Sequence, residues 1–278
     1  MISTSLATVL YFESVPEWYV NLAVAIFGLL IGSFLNVVIA RLPERKSLVS
    51  PPSACPKCGY ALRWFDNIPV LSYLMLAGKC RSCRAPITVR YPIVELLTAL
   101  LFLAVKLRFG FSILLILRDL PFVAILVAIT FIDLETRLIP DPLSLGGLVL
   151  GLATAAFTPS LGILSSLYGA ALGFGLFYGI AWFYQWRRGV AGMGGGDIKF
   201  LAMLGAFLGP LGVLTTIFVS SVLGTILGVT YAWFTRRQEG GEGSLMKVSL
   251  PYGPFLVVGG LYTYLLGDLV WSPFMNLM

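Results

Sequence analysis

Asp133 and Asp197 are the residues in this chain whose type and setting best suit chemistry. Asp133 stands in Phe131-Ile132-Asp133-Leu134-Glu135-Thr136-Arg137, and Asp197 in Gly192-Met193-Gly194-Gly195-Gly196-Asp197-Ile198-Lys199. Each lies at the edge of a long apolar run. A carboxylate at membrane depth costs several kcal/mol unless it is protonated, paired or wetted. Two carboxylates held close together cannot both ionise, so they share a proton. The ionised one takes a proton from water as that water attacks a peptide carbonyl, and the neutral one polarises the carbonyl. The chemistry this pair suits is aspartyl peptide hydrolysis.

The chain contains no histidine. That excludes Ser-His-Asp and Cys-His nucleophile systems and histidine-ligated metalloproteases. Acid–base work falls to carboxylates, Lys, Tyr or Cys. Gly194 and Gly196 would let an extended substrate backbone come close to Asp197, and Lys199 stands two residues on, where it would tune that carboxylate or touch substrate. Each aspartate taken alone also suits a structural role. Asp197 could cap a helix, and Asp133 could pair with Arg137 one turn away.

A second group of reactive side chains is Cys55-x-x-Cys58 and Cys80-x-x-Cys83. Two such knuckles resemble a four-cysteine zinc ribbon, with Lys57, Lys79, Arg81 and Arg84 favouring the thiolates. With no open position the zinc would be structural. Two disulfides or free thiols are the alternative, the disulfides disfavoured if the insert lies in a reducing compartment.

The elements that must position these groups are apolar. Of the 278 residues, 58% are hydrophobic and only 12% charged, and the mean hydropathy is +0.91, far from a soluble average. The expected fold is an all-α polytopic membrane protein with about eight transmembrane helices. They are expected over 18–40, 91–107, 120–134, 143–157, 163–186, 198–208, 211–234 and 252–270. The runs at 143–157 and 198–208 are short for a bilayer, and Gly209-Pro210 marks a break. Met1–Val15 has no Lys or Arg, so the first run reads as an uncleaved membrane helix rather than a cleaved signal. Three domains are expected: 1–46, the first helix; 47–90, a small cytoplasmic insert of short strands and loops carrying the zinc; and 91–278, a seven-helix protease domain. Glu239–Gly243 reads as a flexible cytoplasmic loop.

With the N-terminus outside, sixteen of the nineteen Lys and Arg fall on inner segments, leaving Lys106, Arg108 and Arg118 outside. The positive-inside rule therefore places Asp133 and Asp197 at one cytoplasmic face. Glu95, inside an apolar run, could bind an ammonium or act as base, or serve as partner to Arg90 or Arg41. Asp141 reads as a helix cap and Asp66 as a turn residue.

The two aspartate motifs, with Leu138-Ile139-Pro140-Asp141, the run Gly32–Pro43, the cysteine insert, Asp66-Asn67-Ile68-Pro69, Arg90–Leu96 and Pro251-Tyr252-Gly253-Pro254, resemble the bacterial prepilin peptidases. These are membrane aspartyl proteases of the Gly-x-Gly-Asp type. The likeness runs in order through nearly the whole chain. It implies a bifunctional enzyme of the bacterial inner membrane, with Asp133 and Asp197 as the protease pair. The substrates would be type IV prepilins and type II secretion pseudopilins, cut after a glycine. The same enzyme would N-methylate the new N-terminus with S-adenosylmethionine. Candidate methyltransferase residues are Glu95, Asn36, Glu44 and Gly78. A proton- or cation-coupled transporter using the two aspartates is the competing class; nucleic-acid binding is not expected.

Overall fold

The computed structural model describes residues 15–190, 192–238 and 251–275. The Met1–Ser14 segment and the Glu239–Gly243 loop lie outside the described residues. The chain divides into two compact units, Met1–Ala128 and Ile129–Met278, with the division inside a helix.

In the first unit, α1 (Glu17–Arg41) begins after Pro16 and carries an acid in its first turn and a base in its last, both favourable to the helix dipole. It runs antiparallel to α3 (Arg90–Phe109). The register is visible in steps of one helical turn. Gly28 lies on Ala99, Gly32 on Glu95, and Asn36 bonds the carbonyl of Tyr91. A side chain on Gly32 would sit 2.6 Å from the Glu95 Cα, so the absent side chain is what lets the helices approach. Lys106 and Glu17 form an ion pair farther along the same interface.

Between α1 and α3 lies the insert. Arg41 donates to the carbonyls of Ser47 at 3.0 Å and Pro51 at 2.8 Å, pinning the chain as it leaves α1. A 3-10 turn (Trp64–Asp66) packs beside the five-residue helix α2 (Leu71–Met75). The expected short strands are not formed among the described residues, where the insert has single bridges, Ala54 with Ala61 and Lys79 with Pro86. Each bridge only closes a tight knuckle, and nothing longer has room to pair. A π-helical turn (Leu115–Asp119) leads into α4 (Leu120–Thr136).

The second unit is built on α7 (Gly195–Gln238), with α5 (Asp141–Ala155), α6 (Ile163–Arg188) and α8 (Gly253–Met275) packed on it. Phe200, Leu201, Met203, Leu204 and Phe207 are all buried, so the first turns of α7 form the core. Small residues bring the backbones together: Gly173 lies on Leu201, and Gly259 on Thr216. Polar bonds between helices add to this, from Ser166 Oγ to the Ala206 carbonyl at 2.6 Å and between Ser220 and Tyr252 at 3.0 Å. The expected break is present: at Gly209 the backbone leaves the helical region, with φ 72° and ψ −179°, just before Pro210, and a second helical segment follows it within α7.

Every expected apolar run is helical. Four helical stretches among the described residues are long and apolar enough to cross a membrane: Glu17–Arg41, Leu115–Thr136, Ile163–Arg188 and Gly195–Thr230. Asp141–Ala155 and Gly253–Gly267 are shorter apolar helices.

Candidate active site and metal centre

Asp133 lies in the last full turn of α4, which ends as Arg137 turns left-handed at φ 55°. Its side chain is buried, with 5% of the residue exposed. Oδ2 accepts the backbone N–H of Gly253, the first residue of α8, at 2.9 Å. A Cβ on Gly253 would lie 2.6 Å from the same oxygen, so only glycine fits there.

Asp197 is the third residue of α7, not the residue that caps it. Its N–H donates to the Gly194 carbonyl at 3.2 Å, closing the glycine turn. Its carboxylate lies against Gly194, where a Cβ would come within 3.1 Å of Oδ2. The side chain is half-buried and lies within electrostatic reach of Asp133. Gly196 packs on Ile139, with room for no side chain. Lys199 Nζ donates to Asp141 Oδ1 at 2.7 Å. Asp141 therefore spends its carboxylate on Lys199; it is the first residue of α5, preceded by Pro140, and makes no capping bond. The turn at 138–141 and the glycine turn are thus joined at two points. Gly253 carries the feature the sequence reading had no role for. Its signal in the sequence is its place in the Pro251-Tyr252-Gly253-Pro254 motif.

In the first unit, Glu95 and Asn36 lie on facing turns of α3 and α1. Glu95 is 7% exposed, and Oε2 accepts the N–H of Val70 at 2.7 Å. Ser33 also hydrogen-bonds this carboxylate. Val70 holds φ 59° and ψ −48°, a strained conformation for a β-branched residue, costing on the order of 1–3 kcal/mol. Asn36 donates from Nδ2 to the carbonyls of Gly32 and Tyr91, while its Oδ1 is buried without a partner. Arg41 is engaged with the loop carbonyls, so the carboxylate of Glu95 is held by the chain rather than by that cation. Glu44 pairs with Lys46 on the surface. Gly78, at φ 67°, turns the chain beneath the Tyr73 ring.

The four cysteines meet. Their sulfurs lie within 4.8 Å of one another, with Cys55–Cys83 and Cys58–Cys80 each at 3.9 Å. Tetrahedral zinc with bonds of about 2.3 Å sets sulfurs about 3.8 Å apart, so the donor set fits. The knuckles are copies of each other. The Cys55 N–H bonds the Tyr60 carbonyl and the Cys80 N–H bonds that of Ala85. Gly59 and Arg84 turn left-handed at matching positions. The N–H groups of Cys58 and Lys57 bond the Cys55 sulfur and hold its thiol down to about 6, a thiolate at neutral pH. The Ala85 N–H works the same way on Cys83, but bonds to the other sulfurs and burial outweigh it and push that thiol up to about 11. Asp66 braces the cluster. Burial would raise its carboxyl, but Arg81, the Arg63 N–H and Tyr60 outweigh burial and hold it below the ordinary value.

Two family models match the chain. The bacterial peptidase A24 N-terminal domain covers residues 26–109, and the type IV leader peptidase family covers 120–229. A Pseudomonas aeruginosa protein named prepilin leader peptidase/N-methyltransferase is 38% identical over 96% of this chain and 97% of its own. A Pseudomonas putida protein of the same name is 36% identical over 95% and 96%, and one from Myxococcus xanthus is 42% identical over 81% and 68%. No solved structure matches.

Proposed function

As the chain belongs to the type IV leader peptidase family and is a membrane peptidase and N-methyltransferase, we propose that it removes the leader of type IV prepilins and pseudopilins and methylates the N-terminus it exposes. Asp133 and Asp197 form the protease dyad. The observation that carries this is the buried Asp133 carboxylate, oriented by the Gly253 N–H and within electrostatic reach of Asp197 at the mouth of the glycine turn. The Gly253 bond is spent on Oδ2. Asp197 and the remaining oxygen of Asp133 then share a proton across the attacking water. The ionised partner takes the water's proton, and the neutral one donates to the carbonyl oxygen. Cleavage after glycine, in an inner membrane with the dyad at the cytoplasmic face and about eight spans, follows the family. An enzyme of this family displaces the transporter reading.

For methyl transfer, S-adenosylmethionine supplies the methyl group from its sulfonium. Glu95 holds the new ammonium and accepts its proton, and the unpaired Oδ1 of Asn36 offers a second acceptor on the facing turn. Cys55, Cys58, Cys80 and Cys83 hold zinc, which folds the insert. The test is mass spectrometry of a prepilin incubated with the purified enzyme, with and without S-adenosylmethionine. The expected product has lost its leader and gained one methyl group, the methyl only with the donor. Asp133→Asn and Asp197→Asn, folded and inserted, give no cleavage. Full cleavage by either variant overturns the dyad.

A further inference from the structure

Among the described residues, the insert carries large apolar side chains that stand exposed. Trp64 is 81% exposed, and Leu71, Leu74 and Met75 are 51%, 68% and 76% exposed. Leu71, Leu74 and Met75 stand at i, i+3 and i+4 on one face of α2, and Trp64 opens the 3-10 turn that packs beside this helix. Three of the five residues of α2 are therefore large, apolar and open. A segment this small does not ordinarily leave such a surface to water.

The surroundings of the patch are cationic. Between residues 47 and 90 there are six Lys and Arg and a single acid, Asp66. That acid is buried, and Arg81 covers it at 2.6 Å. Every acidic group of the segment is thus out of play. Arg63 and Arg81 lie over the Phe65 ring, beside Trp64. Lys57, Lys79 and Arg84 are exposed.

The insert is also tied to a membrane helix. Arg41, the last residue of α1, holds the carbonyls of Ser47 and Pro51. The chain therefore cannot run far from the end of α1 before the first knuckle. An apolar patch with an exposed tryptophan, a cationic border and a short tether to a spanning helix matches a bilayer interface. Tryptophan and leucine enter the headgroup boundary there, and Lys and Arg meet anionic lipid.

We infer that Trp64, Leu71, Leu74 and Met75 form an interfacial anchor that lies in the headgroup layer of an anionic bilayer. The anchor holds the metal-bearing insert flat at the membrane rather than free in water. It rests on the reading of α1 as a membrane-spanning helix.

The test uses the full-length enzyme in nanodiscs of phosphatidylcholine alone or mixed with phosphatidylglycerol. p-Benzoylphenylalanine replaces Leu74 in one sample and Leu30, an exposed position of α1, in another. After irradiation, the peptide carrying position 74 is expected to gain the mass of a lipid. In mixed discs that lipid is several-fold enriched in phosphatidylglycerol. Arg63→Gln, at the exposed cation beside Trp64, is expected to reduce the enrichment while the metal content stays intact. Adducts at position 30 but none at 74 would overturn the anchor and leave the spanning helix standing. Adducts at neither would overturn both. Capture of added prepilin at 74 in place of lipid would make the patch a substrate surface and overturn the anchor.

Discussion

The backbone N–H of Gly253 donates to Oδ2 of Asp133 at 2.9 Å, joining residues 120 apart. The bond fixes one carboxylate oxygen and leaves the other for chemistry. It also ties the first turn of α8 to the proposed dyad, although that turn contributes no acid.

Gly253→Ala tests that relationship. The new Cβ would lie 2.6 Å from the carboxylate oxygen, so Asp133 or the start of α8 must shift. A misplacement of about 1 Å in a catalytic group costs about 100-fold in rate. The expected result is a fall in kcat of that order with KM for prepilin little changed and unaltered insertion into membranes. Initial rates of leader removal across a prepilin titration check it. Wild-type kcat in Gly253→Ala would sink the positioning role.

The Lys199–Asp141 bridge stands two residues from Asp197, the other half of the proposed dyad. Both side chains reach solvent, so the pair is worth about 0–1 kcal/mol in stability. Its place is what matters: Lys199 follows Asp197 by two residues, and Gly196 is wedged on Ile139 beside it. Lys199→Met and Asp141→Asn are each expected to slow cleavage about tenfold without lowering Tm by more than a few degrees. The exchanged pair, Asp141→Lys with Lys199→Asp, should recover part of the loss. Single variants that cleave at the wild-type rate would remove the bridge from the mechanism.

The sequence makes the helices and the knuckles legible, because apolar content and Cys-x-x-Cys spacing are local signals. The break at Gly209-Pro210 is legible for the same reason, and so are the helical segments on either side of it. What sequence does not carry is pairing at long range. Asp141 and Lys199 are 58 residues apart and Gly253 and Asp133 are 120, and no local pattern names such partners. Val70 is hidden in another way. A left-handed backbone is ordinarily announced by Gly or Asn. Here a β-branched residue is held there, its N–H bonded to Glu95 from 25 residues away.

The metal centre predicts separable halves. Backbone N–H groups on the Cys55 sulfur favour its thiolate, and the sulfur spacing suits one ion. Cys55→Ser or Cys80→Ser is expected to abolish stoichiometric zinc and methylation. Leader cleavage should survive, because Asp133, Asp197 and Gly253 belong to the second unit and the cysteines to the first. Metal analysis and the mass of the pilin product check both. A cysteine variant that methylates normally without metal would refute the structural role of zinc.

Glu95 has two roles that can be separated by substitution. Its oxygen accepts the Val70 N–H, and its charge is available to an ammonium. Glu95→Gln keeps an acceptor for Val70 and removes the charge; Glu95→Ala removes both. If the carboxylate serves as base, Glu95→Gln should fold and cleave normally while methylation falls about 10²–10⁴-fold. Glu95→Ala should in addition release the strained turn at Val70. Val70→Gly tests that strain alone, since glycine adopts the same backbone angles without penalty. Val70→Gly should leave methylation intact, and it should partly restore the stability of Glu95→Ala without restoring its methylation. Hydrogen exchange over residues 67–75, read alongside methylation rates, distinguishes these outcomes. Normal methylation by Glu95→Gln would reduce Glu95 to a brace for the turn.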